Sequence, residues 1–256
     1  MSILLEAKQV SKFFGGVKAV NQVDMQIEKG EIFGIIGPNG AGKTTFFNVI
    51  SGLYTPTSGD IWFKGEKITG LIPEQVAKMG MARTFQNIRL FVNMSVADNI
   101  KIGFHTRTKT NFADAFVHSR RYKDDEKFAT QKSLELLEEV GLSEYSQYQA
   151  GKLAYGTQRK VEIVRALALN PEILLLDEPA AGMNPAETES LMCFVKELNQ
   201  SGYTVAVIEH DMKFIMNLCD RIMVLDHGTK IAEGLPEEIK DDQNVIEAYF
   251  GSKAVI

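Results

Sequence analysis

Gly37-Pro38-Asn39-Gly40-Ala41-Gly42-Lys43-Thr44-Thr45 follows the apolar run Ile32-Phe33-Gly34-Ile35-Ile36 and precedes Phe46-Phe47-Asn48-Val49-Ile50. The order is strand, glycine-rich turn, helix, and G-x-x-x-x-G-K-T is filled at every defined position. Gly37, Gly40 and Gly42 permit backbone dihedrals that turn successive N–H groups inward, while the helix beginning near Lys43 aims its positive end at the same point. A di- or triphosphate suits that concavity. Lys43 is placed to reach the β- and γ-phosphates, and the Thr44 hydroxyl to ligate a Mg²⁺ that bridges them.

Upstream, Leu4 to Val10 and Ala19 to Ile27 alternate apolar and polar residues, and Asp60 to Gly65 reads as a strand returning beside them. These segments predict an antiparallel β layer leading into the phosphate-loop strand. Phe13-Phe14-Gly15-Gly16 lies between the first two. Phe14 is read in two ways, as a ring that stacks on a nucleotide base or as one packed in the core. Downstream, the spacing predicts a short helix from Pro73 to Met79 and a brief strand over Ala82 to Gln86.

From Asn87 to about Leu153 strand signals fade. Phe128, Leu134, Leu137 and Val140 mark one face of a helix over Lys127 to Val140, while Ser119 to Glu126 and Thr106 to Thr110, both polar, read as a solvated face or loop. Strands then resume, as continuous apolar runs over Glu172 to Asp177 and Thr204 to Ile208. Helices are expected over Arg159 to Leu169, Ala186 to Gln200 and Met212 to Cys219. Buried parallel strands alternating with helices predict an α/β sheet with its ligands at the strand carboxyl ends.

Those ends carry the chemistry. Asp177 suits a water-mediated Mg²⁺ ligand, and Glu178 suits a base that orients and deprotonates a water attacking the γ-phosphate. His210 follows the next strand and suits a hydrogen-bond donor to the same phosphate. His105, His118 and His227 lack that context and read as surface or packing residues. Leu153-Ala154-Tyr155-Gly156-Thr157-Gln158 opens a second helix whose N-terminus either receives an anion or is an ordinary cap.

With 256 residues, 45% of them apolar, and a net charge of −5, the chain can bury a sizeable core and offers no global attraction to nucleic acid. Cys193 and Cys219 sit in apolar surroundings far apart in sequence, the pattern of buried free thiols in a reducing compartment. No apolar run reaches the roughly 18 residues of a membrane-spanning helix. Glu6 and Lys8 interrupt the stretch where a signal peptide would be apolar. The expected location is cytosolic, with any membrane work done through a protein that spans it.

Taken together, the motifs resemble the ATP-binding subunits of ATP-binding cassette (ABC) transporters along nearly the whole chain. The phosphate loop, Gln86, the Leu153 to Gln158 signature, Ile173 to Glu178, Ala181-Gly182-Met183-Asn184 and His210 occur in the family's order. The resemblance implies an α/β P-loop NTPase core in residues 1–86 and 157–256, with the β layer within 1–70 and a helical subdomain over 87–156. It implies ATP and Mg²⁺ as cofactors, with Gly37 to Thr45 and Phe14 binding nucleotide, Thr44, Asp177 and Gln86 at the metal, and Glu178, His210 and Gln86 in catalysis. Two copies would pack head to tail, so that Ala154, Tyr155 and Gly156 complete the partner's site. Ala154 stands where the family's serine would offer a hydroxyl, and Asn184 where its aspartate stands. The L-A-Y-G variant with Arg83-Thr84-Phe85-Gln86 is similar to ATPases of branched-chain amino-acid importers, which implies membrane permease subunits, an indirect solute-binding protein, and a place on the cytoplasmic face. A cassette ATPase of another importer or exporter, a soluble non-transport cassette ATPase and a non-hydrolysing nucleotide switch are the alternatives.

Overall fold

The computed structural model describes residues 2–104 and 119–250. The histidines at 105 and 118 and the polar stretch 106–110 lie outside them.

Two sheets form. β1 (Ile3–Phe14) and β2 (Val17–Glu28) make a long hairpin, joined by β4 (Ser58–Phe63) and β5 (Glu66–Lys67) into an antiparallel layer of order β2-β1-β4-β5. The alternation of β2 decides its facing, because Val23, Met25 and Ile27 are buried while Asp24 and Gln26 are exposed. The second sheet has the order β10-β9-β3-β8-β7-β6. It comprises β3 (Ile32–Ile36), β6 (Met81–Arg83), β7 (Ile173–Asp177), β8 (Thr204–Ile208), β9 (Arg221–Asp226) and β10 (Thr229–Gly234). All its pairings are parallel except β10 on β9.

Every residue of β3, β7 and β8 is buried, as their unbroken apolar runs require for strands covered on both faces. Successive residues feed opposite cores. Ile173 and Leu175 join Phe46, Phe47, Phe63 and Met25 beneath the antiparallel layer, whereas Leu174 and Leu176 join Val161, Val164, Leu191 and Phe214 under the helices. The helices are α1 (Lys43–Ile50), α2 (Pro73–Lys78), α3 (Val96–Gly103), α4 (Arg120–Glu139), α5 (Tyr155–Leu167), α6 (Pro185–Gln200), α7 (Met212–Leu218), α8 (Pro236–Asp241) and α9 (Gln243–Phe250). None among the described residues is long and apolar enough to cross a membrane.

Three expectations are corrected. The helix α4 starts at Arg120 rather than Lys127, because the Ser119 hydroxyl accepts the Tyr122 N–H and Lys101 pairs with Glu126, so of the two readings of this polar stretch the solvated face holds and the loop does not. Its buried stripe is Ala129, Ser133 and Leu137, and the Ser133 hydroxyl satisfies itself on the Ala129 carbonyl at 2.7 Å; Phe128 and Leu134 are exposed. Both cysteines are free, but only Cys219 is buried, and burial pushes its thiol pKa up. Cys193 is exposed because the inward stripe of α6 is Leu191, Phe194, Val195 and Leu198.

Candidate functional site

Register brings the chemistry to one edge. Ile208 pairs with both Ile35 and Asp177, so the carboxyl ends of β3, β8 and β7 stand side by side and deliver the phosphate loop, His210 and Glu178 to the same rim.

The loop between β3 and α1 is held by close main-chain contact. A Cβ on Gly37 would meet the Leu225 carbonyl oxygen at 2.0 Å, and one on Gly42 the Ala19 oxygen at 2.2 Å, with φ of 151° and 99° at the two glycines. Only glycine fits there. Gly42 precedes α1 without any side-chain cap, which leaves the first N–H groups of the helix directed into the loop. The buried Lys43 ammonium donates to the carbonyls of Gly37 at 2.7 Å and Pro38 at 3.0 Å. Burial lowers its pKa, while Glu178 and Glu209 oppose that shift by their charge. Thr44 is exposed at the mouth and Thr45 half-buried.

Glu178 is the hub of the rim. Its φ of 44° is a left-handed conformation rare for a long side chain, and its N–H is fixed on the Ile208 carbonyl at 2.9 Å. Gln86 Nε2 donates to Glu178 Oε2 at 2.8 Å, and His210 Nδ1 stands 3.8 Å from the same oxygen. The expected trio of Gln86, Glu178 and His210 is thus assembled within one chain. Asp177 is almost wholly buried, and its Oδ2 accepts from Arg83 Nη2 at 2.8 Å.

Phe14 is exposed at the end of β1, edge-on to Tyr54 at 5.5 Å with Lys12 above both rings, so the core alternative falls. Ala154 and Tyr155 are exposed at the start of α5, and Ala154 offers no side-chain cap. Gly156 is different. Its N–H donates to Glu187 Oε1 at 3.3 Å, where the sequence reading left it open to an anion. Asn184, read only as a departure, caps α6 by accepting from Ala186 and Glu187, and Glu187 returns a bond to its N–H. His227 is exposed, as expected.

Sequence reasoning missed Arg83, Glu209 and Tyr54. Glu209 is buried, accepts the N–H groups of Ala180 at 2.7 Å and His210 at 3.1 Å, and has its pKa raised by burial. A Glu beside His210 was visible, but nothing local marks a carboxylate that turns inward.

A family model described as ABC transporter matches residues 20–181, and one described as branched-chain amino acid ATP-binding cassette transporter matches residues 229–255. The chain is 43% identical over 249 residues to the high-affinity branched-chain amino acid transport ATP-binding protein BraF of Pseudomonas aeruginosa, covering 97% of this chain and 98% of that one. It is 44% identical to LivG of Salmonella typhimurium over the same shares. Among solved structures it resembles a nucleotide-free ATP-binding cassette from an ABC transporter (TM-score 0.85, 34% identity, covering 98% of this chain and 100% of that one). It also resembles the ADP conformation of such a cassette (TM-score 0.86, 32% identity, the same coverage). This chain belongs to the ABC transporter ATP-binding proteins, in the branched-chain amino-acid transport family, and is an ATPase whose hydrolysis is coupled to transport.

Proposed function

We propose that the chain powers import of branched-chain amino acids, binding ATP along Gly37 to Thr45 with Phe14 against the base. The observation that carries the catalytic reading is that Gln86, hydrogen-bonded at 2.8 Å, and His210, 3.8 Å away, gather at one oxygen of Glu178 at the rim. Glu178 takes the proton of the attacking water, His210 donates to the γ-phosphate, and Gln86 aims the Glu178 carboxylate. Lys43 exchanges its two loop carbonyls for phosphate oxygens.

The donors fit Mg²⁺. Thr44, Gln86 and Asp177 offer hard oxygen atoms, the ligand type that Mg²⁺ takes. Bound there, it would neutralise charge on the transferring phosphate.

Residues 87–156 form a helical subdomain that docks on membrane permease subunits, which in turn receive a solute-binding protein, so the chain sits on the cytoplasmic face. Two ATPase subunits pair head to tail. One solved relative, 27% identical over 91% of this chain with a TM-score of 0.73, is a dimeric post-hydrolysis cassette bound to ADP and Pi.

Glu178→Gln tests the reading. It keeps the shape of the side chain and removes the base, so ATP should still bind while hydrolysis falls on the order of 10² to 10⁴. Size-exclusion chromatography should then show a dimer with ATP and a monomer with ADP. Turnover at the parent rate would remove Glu178 from its role, and an inactive monomer would sink the shared site. Permeases co-purifying with the native protein, and leucine uptake by the reconstituted complex, would support the solute; uptake of an unrelated solute alone would refute it.

A further inference from the structure

Arg159 has no exposed surface, although it lies on α5 one turn after the Ala154 to Gly156 stretch. Its Nη1 donates to the Phe85 carbonyl at 2.7 Å and to Glu162 Oε2 at 2.7 Å, and its Nη2 donates to the Gln86 carbonyl at 2.6 Å. Glu162, equally buried, turns its other oxygen to the Arg89 N–H at 2.9 Å. One turn further, Arg165 Nη1 donates to the Arg89 carbonyl at 2.6 Å. The Arg89 guanidinium lies over the Phe85 ring at 4.0 Å.

Residues 85–89 are therefore gripped at both ends, by main-chain atoms, from three side chains of one helix. β6 ends just before, where the Thr84 N–H is fixed on Leu175 at 2.9 Å. A buried ion pair contributes little net stability, since the cost of taking both charges out of water offsets their attraction, and apolar side chains would fill the space as well. Here the Arg159 Nε has no hydrogen-bond partner among the described residues, which adds to that cost. What apolar side chains would not supply is partners for the Phe85 and Gln86 carbonyls and the Arg89 N–H.

We infer that Arg159 and Glu162, assisted by Arg165, are positioning residues that hold the main chain of residues 85–89 so that the Gln86 side chain meets Glu178. The inference rests on the role given above to Gln86 and Glu178. It makes α5 and the Gln86–Glu178 contact one mechanical unit, because a shift of the helix carries the Gln86 backbone with it. The hydrogen bonds of all three side chains go to residues 85–89 and to one another rather than to the phosphate loop.

The test is a double-mutant cycle on the full chain, with kcat and KM for ATP as readouts and circular dichroism as the folding control. Arg159→Met with Glu162→Gln removes both charges together yet keeps an acceptor for Arg89. It should lower kcat by about tenfold to a hundredfold, the scale of a misplacement near 1 Å, with KM for ATP unchanged. In a Gln86→Ala background the same pair of changes should cause no further fall. An equal fall in both backgrounds, a fall confined to KM, or parent kcat would overturn the inference. Should the double variant fail to fold, Arg165→Met frees only the Arg89 end; it should lower kcat less, and a loss that persists without Gln86, or no loss, overturns the inference equally. If Gln86→Ala alone keeps parent kcat, the role of Gln86 is wrong and the inference falls with it, a result distinct from additivity.

Discussion

Two helix N-termini in this molecule look alike in sequence and are held in opposite ways. Gly42 before α1 and Ala154 before α5 provide no side-chain cap, whereas Ser95, Ser119, Asn184 and Asp211 cap α3, α4, α6 and α7. Ile72 and Leu235 also lack one, but each precedes a proline, which has no N–H to satisfy. The α1 terminus sits in a socket of main chain, with Gly37 and Gly42 pressed on carbonyls of β9 and β2. The α5 terminus is suspended by side chains: Glu187 on Gly156 at its start, and Arg159, Glu162 and Arg165 on residues 85–89 along its length. A socket receives a phosphate where it stands. A suspended helix instead transmits its own displacement.

The largest expected effect tests the socket. Lys43→Ala should weaken ATP binding by about a hundredfold or more, taking charged hydrogen bonds at about 1.5–3 kcal/mol each, with the fold intact by circular dichroism. Unchanged affinity in nucleotide titration would leave α1 an ordinary helix. Next, the same substitution at the two termini should separate them. Gly42→Ala, strained and driven onto the Ala19 oxygen, should cost about 1–3 kcal/mol in thermal melts and weaken ATP binding, though less than Lys43→Ala does. Gly156→Ala meets only the Glu187 stem, at 3.2 Å, and should stay within about 0.5 kcal/mol of the parent. Equal costs would erase the distinction. The smallest change in the opposite direction is Ala154→Ser, which supplies the missing cap and should stabilise by about 1 kcal/mol. That is a Tm rise of about 2–4 °C for a chain of this size. A tighter ATP-dependent dimer in the same variant would add a phosphate contact to the cap, and no rise at all would show that this terminus cannot use a hydroxyl.

What was legible follows the same division. The socket is written in contiguous residues, since glycines, a lysine and a threonine at fixed offsets after a strand admit one geometry. Asp177, Glu178 and His210 were equally legible because each lies at, or within two residues of, the end of an unbroken apolar strand. The suspension was not. Arg159 and Glu162 carry full charges, and charge on a helix ordinarily signals solvent, so nothing local announces that residues 85–89 close over them. Arg83 failed for a like reason: its partner Asp177 is distant in sequence and adjacent only through the pairing of β6 with β7. Cys193 and Cys219 have similar neighbours in sequence, yet one faces water and the other packs against β3, where a Cβ on Gly34 would come within 2.9 Å of the Cys219 sulfur.

The contact of Gly37 with Leu225 also sets a schedule. The Gly228 N–H is fixed on Ala41 and the Asn21 N–H on Gly228, so the walls of the phosphate loop come from both ends of the chain. A ribosome has built the loop long before it builds Leu225 and Gly228; at about 5–20 residues per second the gap is about 10–40 s. For most of that interval β3 lacks both strands that flank it, β8 and β9. A chain that stops before Leu225 would carry the complete loop sequence without one of its walls, so nucleotide titration should find it binding ATP more weakly than the full chain.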